Sequence, residues 1–131
     1  ASSNRNSVEK TLSDRMEVGS APVYNFLFSY EAPVDGGILA FHCSDLIYTF
    51  HNVDIPVVTR ATGGNEDAHR IQDQMASAWI NFATTGDPST DELSWAPYTA
   101  EEKNVMVFDV ESGCGILGDE TLNQLISDAL S

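Results

Sequence analysis

Hydrophobic and polar positions alternate with two different periods along this chain. From Ser7 to Val18 the apolar residues Val8, Leu12 and Met16 recur every four positions, which predicts a short, half-exposed helix capped by Ser7 and ended by Gly19. In PVYNFLFSY the period drops to two. Tyr24, Phe26, Phe28 and Tyr30 share one face and Val23, Asn25, Leu27 and Ser29 the other, which predicts a strand whose aromatic side needs a partner layer. A spacing of three or four returns with Ala68, Ile71, Met75, Trp79 and Phe82, predicting a long helix from about Asn65 to Thr85. Asn65 suits its cap, Glu66 and Asp67 suit the positive end of the helix dipole, and Gly86 and Pro88 stop it. A second strand is predicted at Val105 to Val110. A last helix follows Asp119, with Leu122, Leu125, Ile126, Ala129 and Leu130 on one stripe.

Between these elements, EAPVDGG breaks the pattern at Pro33, Gly36 and Gly37. AFHCSDLIYTF therefore follows a loop and runs into a short helix containing Leu46, Ile47 and Phe50, which places His42 at a loop-to-helix junction. Two strands more than seventy residues apart cannot cover three or four apolar helix faces, and a two-stranded sheet is marginal by itself. The chain reads either as a helix-rich α+β domain or as the terminal part of a larger α/β sheet protein, and the aromatic strand favours the second.

Charge and composition narrow the function. The 131 residues hold 6 Lys plus Arg against 20 Asp plus Glu, a formal net charge of −14. That field repels phosphate backbones and anionic lipid, so neither nucleic acid nor membrane is an expected partner. No apolar run approaches the roughly 20 residues that span a bilayer, and ASSNRNS lacks the basic and apolar parts of a signal peptide. The compartment stays open, with the cytoplasm favoured. Two cysteines, Cys43 and Cys114, form neither a disulfide framework nor a zinc spacing and read as free, buried thiols.

Several constellations compete for the chemistry. GCGILG, Gly113 to Gly118, matches a dinucleotide fingerprint, but the chain ends before a second strand with its acidic residue, and Asp109, Glu111 and Asp119 crowd the place of a pyrophosphate. It reads as a strand-to-helix loop. His42, Cys43, His51 and His69 lack any metal-ligand spacing, and Cys43 adjoins His42 too closely for an in-line nucleophile pair. No metal or cofactor is expected. His51 and His69 read as solvated. From the residues alone, His42 remains open between a structural histidine and a proton carrier.

Five segments then resemble, in order and spacing, the C-terminal part of type-B carboxylesterases, the family of the bacterial p-nitrobenzyl esterases and the cholinesterases. They are PVYNFLFSYEAP, GGILAFHCSDLIYTF, MASAWINFATTGDPS, WAPYT and VMVFD, spread over roughly residues 8–130. The resemblance implies the late strands and flanking helices of an α/β-hydrolase fold, with residues 1–131 as the C-terminal segment of one such domain. It implies cleavage of small-molecule carboxylic esters by a serine triad whose last member in chain order, the histidine, corresponds to His42. Glycine commonly follows that histidine in the family, where this chain has Cys43. No G-x-S-x-G elbow occurs here, and neither the triad acid nor the oxyanion glycines can be placed. Asp45 lies too close to His42 to orient its ring and reads as a cap or brace of the next helix. Phe41 and Phe50 are assigned to either a substrate pocket or the core.

The resulting expectation is a histidine-bearing segment, inactive alone, whose partner is the remainder of the esterase domain. Its open strand edge and apolar face predict self-association, a homo-oligomer included, or partial disorder. The alternative is a noncatalytic esterase-like module for binding or association. A self-contained hydrolase built on Cys43 is more remote.

Overall fold

An aromatic strand and a well-capped helix set the architecture. The computed structural model describes residues 2–118 together with 121, 124, 125 and 128. In chain order its elements are Ser2–Val18 (α1), Phe26–Phe28 (β1), Asp45–Thr49 (α2), Pro56–Thr62 (α3), Glu66–Thr85 (α4), Asn104–Phe108 (β2) and Gly113–Ile116 (β3). β1 pairs in parallel with β2, Phe26 opposite Met106 and Phe28 opposite Phe108. β2 pairs antiparallel with β3, Met106 opposite Cys114. A parallel pair requires a crossover, and α2, α3 and α4 supply it. The strand order is β1-β2-β3, so no strand among the described residues covers the outer side of β1.

The predicted aromatic face meets its partner layer ring by ring. Tyr24 packs edge-on to Phe82 and Phe26 to Trp79, with ring centroids 5.9 and 5.0 Å apart, while Phe28 and Tyr30 meet Tyr48 of α2 at 5.0 and 5.8 Å. Helix α4 inserts the stripe Ala68, Ile71, Met75 and Ala78 into the core beside Met106 and Phe108. Burying each large apolar side chain contributes about 1.5–3 kcal/mol. Asn65 caps α4 as expected. Its Oδ1 accepts the Ala68 N–H at 2.9 Å and also the Tyr30 hydroxyl at 3.0 Å, so one amide ties the helix to the chain beyond β1.

Several expectations need correction. The first helix begins at Ser2 rather than at Ser7, and the Arg5–Glu9 ion pair joins the added turn to the next one. The aromatic stretch forms only three residues of regular strand, and the second strand ends at Phe108 because Asp109 enters a turn closed by Ser112. GCGILG is not a strand-to-helix loop, since Gly113 to Ile116 is itself a strand. Helix α3 has too little apolar rhythm to be seen that way, although Pro56 at its start and Gly63 in left-handed conformation at its end mark it. Neither thiol is fully buried: Cys43 is exposed on a turn, and Cys114 is half-buried on an edge strand between two glycines. The predicted last helix, with Asp119, Leu122, Ile126, Ala129 and Leu130, lies outside the described residues except for isolated positions such as Leu125. Among the described residues no helix is long and apolar enough to cross a membrane.

Gln72 is a buried polar residue on the apolar side of α4, and its burial has a reason. Its Oε1 accepts the N–H of fully buried Val53 at 2.6 Å, holding the segment after α2 against α4. Gln72→Leu keeps the bulk but strands that N–H, and should lower the unfolding free energy by about 1–3 kcal/mol in urea titrations. Burial pushes the Tyr48 phenol above its ordinary range, and neighbouring Tyr30 adds to the rise. Between the unfolded and folded values the native state holds the extra proton. Stability from this group is therefore complete below about pH 10 and is lost as pH rises beyond it. Urea midpoints measured from pH 9 upward should fall, and Tyr48→Phe should flatten the fall.

Candidate active site

His42 stands on a tight turn, and the preceding loop aims that turn. Paired backbone hydrogen bonds between Ala32 and Ile38, at 3.0 and 2.9 Å, close the loop. It reverses through Asp35, Gly36 and Gly37, all at positive φ, a conformation glycine adopts without a Cβ clash. The chain emerges through Leu39 and Ala40 to Phe41, whose carbonyl accepts the Ser44 N–H at 3.0 Å. The four-residue turn Phe41–His42–Cys43–Ser44 is thereby closed, and α2 starts at the next residue.

The Ser44 side chain binds the same turn twice. Its Oγ donates to the Phe41 carbonyl at 2.8 Å and accepts the Phe41 N–H at 3.2 Å. Sequence reasoning did not single out Ser44, although a serine just before an apolar helical run is a capping signal. Its hydroxyl makes no cap hydrogen bond to α2 and turns back to Phe41 instead. The cap position is thus Ser44 rather than Asp45, which opens α2 and places a carboxylate in its first turn.

His42 itself is exposed, and its ring makes no hydrogen bond or ion pair with any described residue. The other histidines are engaged. His51 Nε2 lies 2.8 Å from Asp73 Oδ1 and His69 Nδ1 lies 3.8 Å from Asp54 Oδ1, so both, read as merely solvated, pair across the surface between α4 and the chain after α2. The chain around His42 is apolar and uncovered: Leu39, Phe41, Leu46 and Phe50 are all exposed, Phe41 by 62% and Phe50 by 67%. Neither phenylalanine packs in the core. A cavity of about 120 Å³ lies behind the turn, lined in part by Phe28, Tyr48, Phe41 and Ser44. Among the described residues no group of three or more His, Cys, Asp or Glu side chains could hold a metal.

This arrangement presents an exposed imidazole on a braced turn, with both nitrogens unengaged by described residues. It can relay a proton once a carboxylate and a hydroxyl are brought to its two sides. The carboxylesterase family model matches residues 4–122.

The chain belongs to the carboxylesterase family. It is 30% identical over 91 residues to the para-nitrobenzyl esterase of Bacillus subtilis (strain 168), an alignment covering 70% of this chain and 19% of that protein. Among solved structures, a polyester-hydrolysing esterase from Clostridium hathewayi superposes with a TM-score of 0.71 at 32% identity, over 82% of this chain and 21% of the other. A thermophilic PNB esterase superposes at 0.69 and 26% identity, over 79% and 21%. The chain thus spans about a fifth of the length of these relatives, and its fold is a partial α/β-hydrolase, as the five sequence segments implied.

The turn is also one that a glycine after His42 would suit. Cys43 has φ +68°, in the left-handed region. That conformation costs a residue with a Cβ about 1–2 kcal/mol, and more when the side chain is β-branched. Cys43→Gly should therefore leave stability unchanged or raise it slightly, and Cys43→Val should lower it by about 1 kcal/mol or more relative to the glycine variant, read as urea midpoints.

Proposed function

We propose that the full-length protein hydrolyses small-molecule carboxylic esters through a serine triad and that His42 is the triad histidine. One observation carries the reading. Within the span matched by the family, His42 alone of the three histidines has a ring that no described residue engages, and it sits on a braced turn in a stretch of chain whose apolar residues Leu39, Phe41, Leu46 and Phe50 are exposed. A triad histidine needs both nitrogens available, Nδ1–H to a carboxylate and Nε2 to the serine hydroxyl. In this role neutral His42 takes the serine proton as the hydroxyl attacks the ester carbonyl, then returns it to the departing alcohol. Membership of the esterase family and the esterase relatives support the reaction class.

Serine, acid and oxyanion donors would come from the remainder of the esterase domain, of which residues 1–131 form the C-terminal segment. The open side of β1, with Phe26 and Leu27 exposed, supports docking of that remainder, as do Leu39, Phe41, Leu46 and Phe50 around His42. These residues alone should turn over no ester. A noncatalytic association module would use the same surfaces but would turn over no ester even in the full-length protein. In the full-length protein, His42→Ala should lower kcat for p-nitrophenyl butyrate by about 10²–10⁴-fold with KM little changed. Full activity in that variant would remove His42 from the mechanism, whereas no turnover in the unmodified full-length protein would favour the module.

A further inference from the structure

We infer that Ser44 is a positioning residue for His42. The inference rests on the reading of His42 as the general base. An exposed imidazole at the tip of a turn is held only as well as the turn. Here the four residues are locked by three hydrogen bonds between Phe41 and Ser44: one closes the main chain at 3.0 Å, and two pass through Ser44 Oγ at 2.8 and 3.2 Å. The Oγ satisfies both main-chain groups of Phe41, so it fixes the peptide immediately before His42 and the one preceding that.

The clasp is anchored from below. Ser44 is 6% exposed, and α2, which begins beside it, is held by Tyr48 against Phe28 and Tyr30. Beyond α2 the Val53–Gln72 bond fastens the chain to α4. From the core to the imidazole, Ser44 Oγ is the last side-chain hydrogen bond in the path. Without it, the Phe41 N–H and one acceptor position on the Phe41 carbonyl lose their partner, and the backbone carrying His42 is released to sample other orientations around the left-handed Cys43. A displacement of the base by an ångström can lower a rate by about 10²-fold even when substrate binding is untouched.

The test uses the full-length esterase with His42→Ala, Ser44→Ala and Ser44→Thr. Ser44→Ala should lower kcat for p-nitrophenyl butyrate about tenfold with KM unchanged. Ser44→Thr keeps the hydroxyl, and the adjoining cavity of about 120 Å³ has room for its methyl, so it should restore most of kcat. Should Ser44→Ala not fold, Ser44→Cys under reducing conditions, with a weak donor and acceptor of similar shape, should show the same drop in kcat. Loss of activity in His42→Ala with wild-type kcat in the folded Ser44 variant overturns the positioning role and leaves the triad assignment standing. A parallel rise in KM, or a loss that threonine does not restore, also overturns it. Retained activity in His42→Ala overturns the function proposed above, independently of Ser44.

Discussion

The packing of one aromatic strand face against two helices is the constraint on which the rest of this structure depends. Tyr24, Phe26, Phe28 and Tyr30 are too large and too apolar to be left open, and no single short helix could cover all four. Helix α4 takes the first two and α2 the last two. Because α2 must lie under Phe28 and Tyr30, the turn immediately before it is fixed beside the end of β1. His42 owes its location to that packing rather than to any contact of its own.

Polar groups complete the arrangement where apolar contact gives no direction. Asn65 serves α4 as a cap and Tyr30 as an acceptor, Gln72 serves the Val53 N–H, and Ser29 donates to Asp109 at 2.6 Å across the ends of β1 and β2. Each of these bonds joins residues far apart in sequence or ends a helix, and each sits where a change of direction is required. Buried amides left unpaired cost more than such bonds contribute, which is why they fix geometry as well as stability. The acidic surface plays no comparable part. Its ion pairs are largely exposed, including His51–Asp73 and His69–Asp54, and such pairs are each worth at most about 1 kcal/mol.

What the sequence made legible follows the physics of each element. Helix α4 was readable to its ends because its apolar stripe is long and its cap, dipole and stop residues all agree. The aromatic alternation identified the correct face, since side-chain direction has a period of two even where the regular pairing covers only Phe26–Phe28. Strand β3 was hidden because Gly113 and Gly115 have no side chains to alternate; only its pairing with β2 makes it a strand. Cys43 illustrates the same limit. A sequence gives no φ, so its exposure on a left-handed turn could not be separated from ordinary thiol burial. His42 became a candidate by resemblance to the family, while its location before α2 was readable from the glycine-bearing loop and the apolar run. Ser44 was missed because its hydroxyl turns away from the helix that its position suggests it should cap.

The turn around His42 joins two demands that ordinarily conflict. A proton carrier must be accessible to groups arriving from outside its own segment, which argues for a projecting loop, yet it must also be held to within a fraction of an ångström. A helix would fix the residue but direct it along the helix surface; an open loop would expose it but leave it mobile. A four-residue turn with a left-handed third residue projects its second residue outward, and a serine that returns to both main-chain groups of the first residue stiffens it. The strain at Cys43 and the burial of Ser44 are then two aspects of one device, and the uncovered apolar residues beside them are what such a device would expose under the proposed role of His42, in which serine and acid come from another part of the domain.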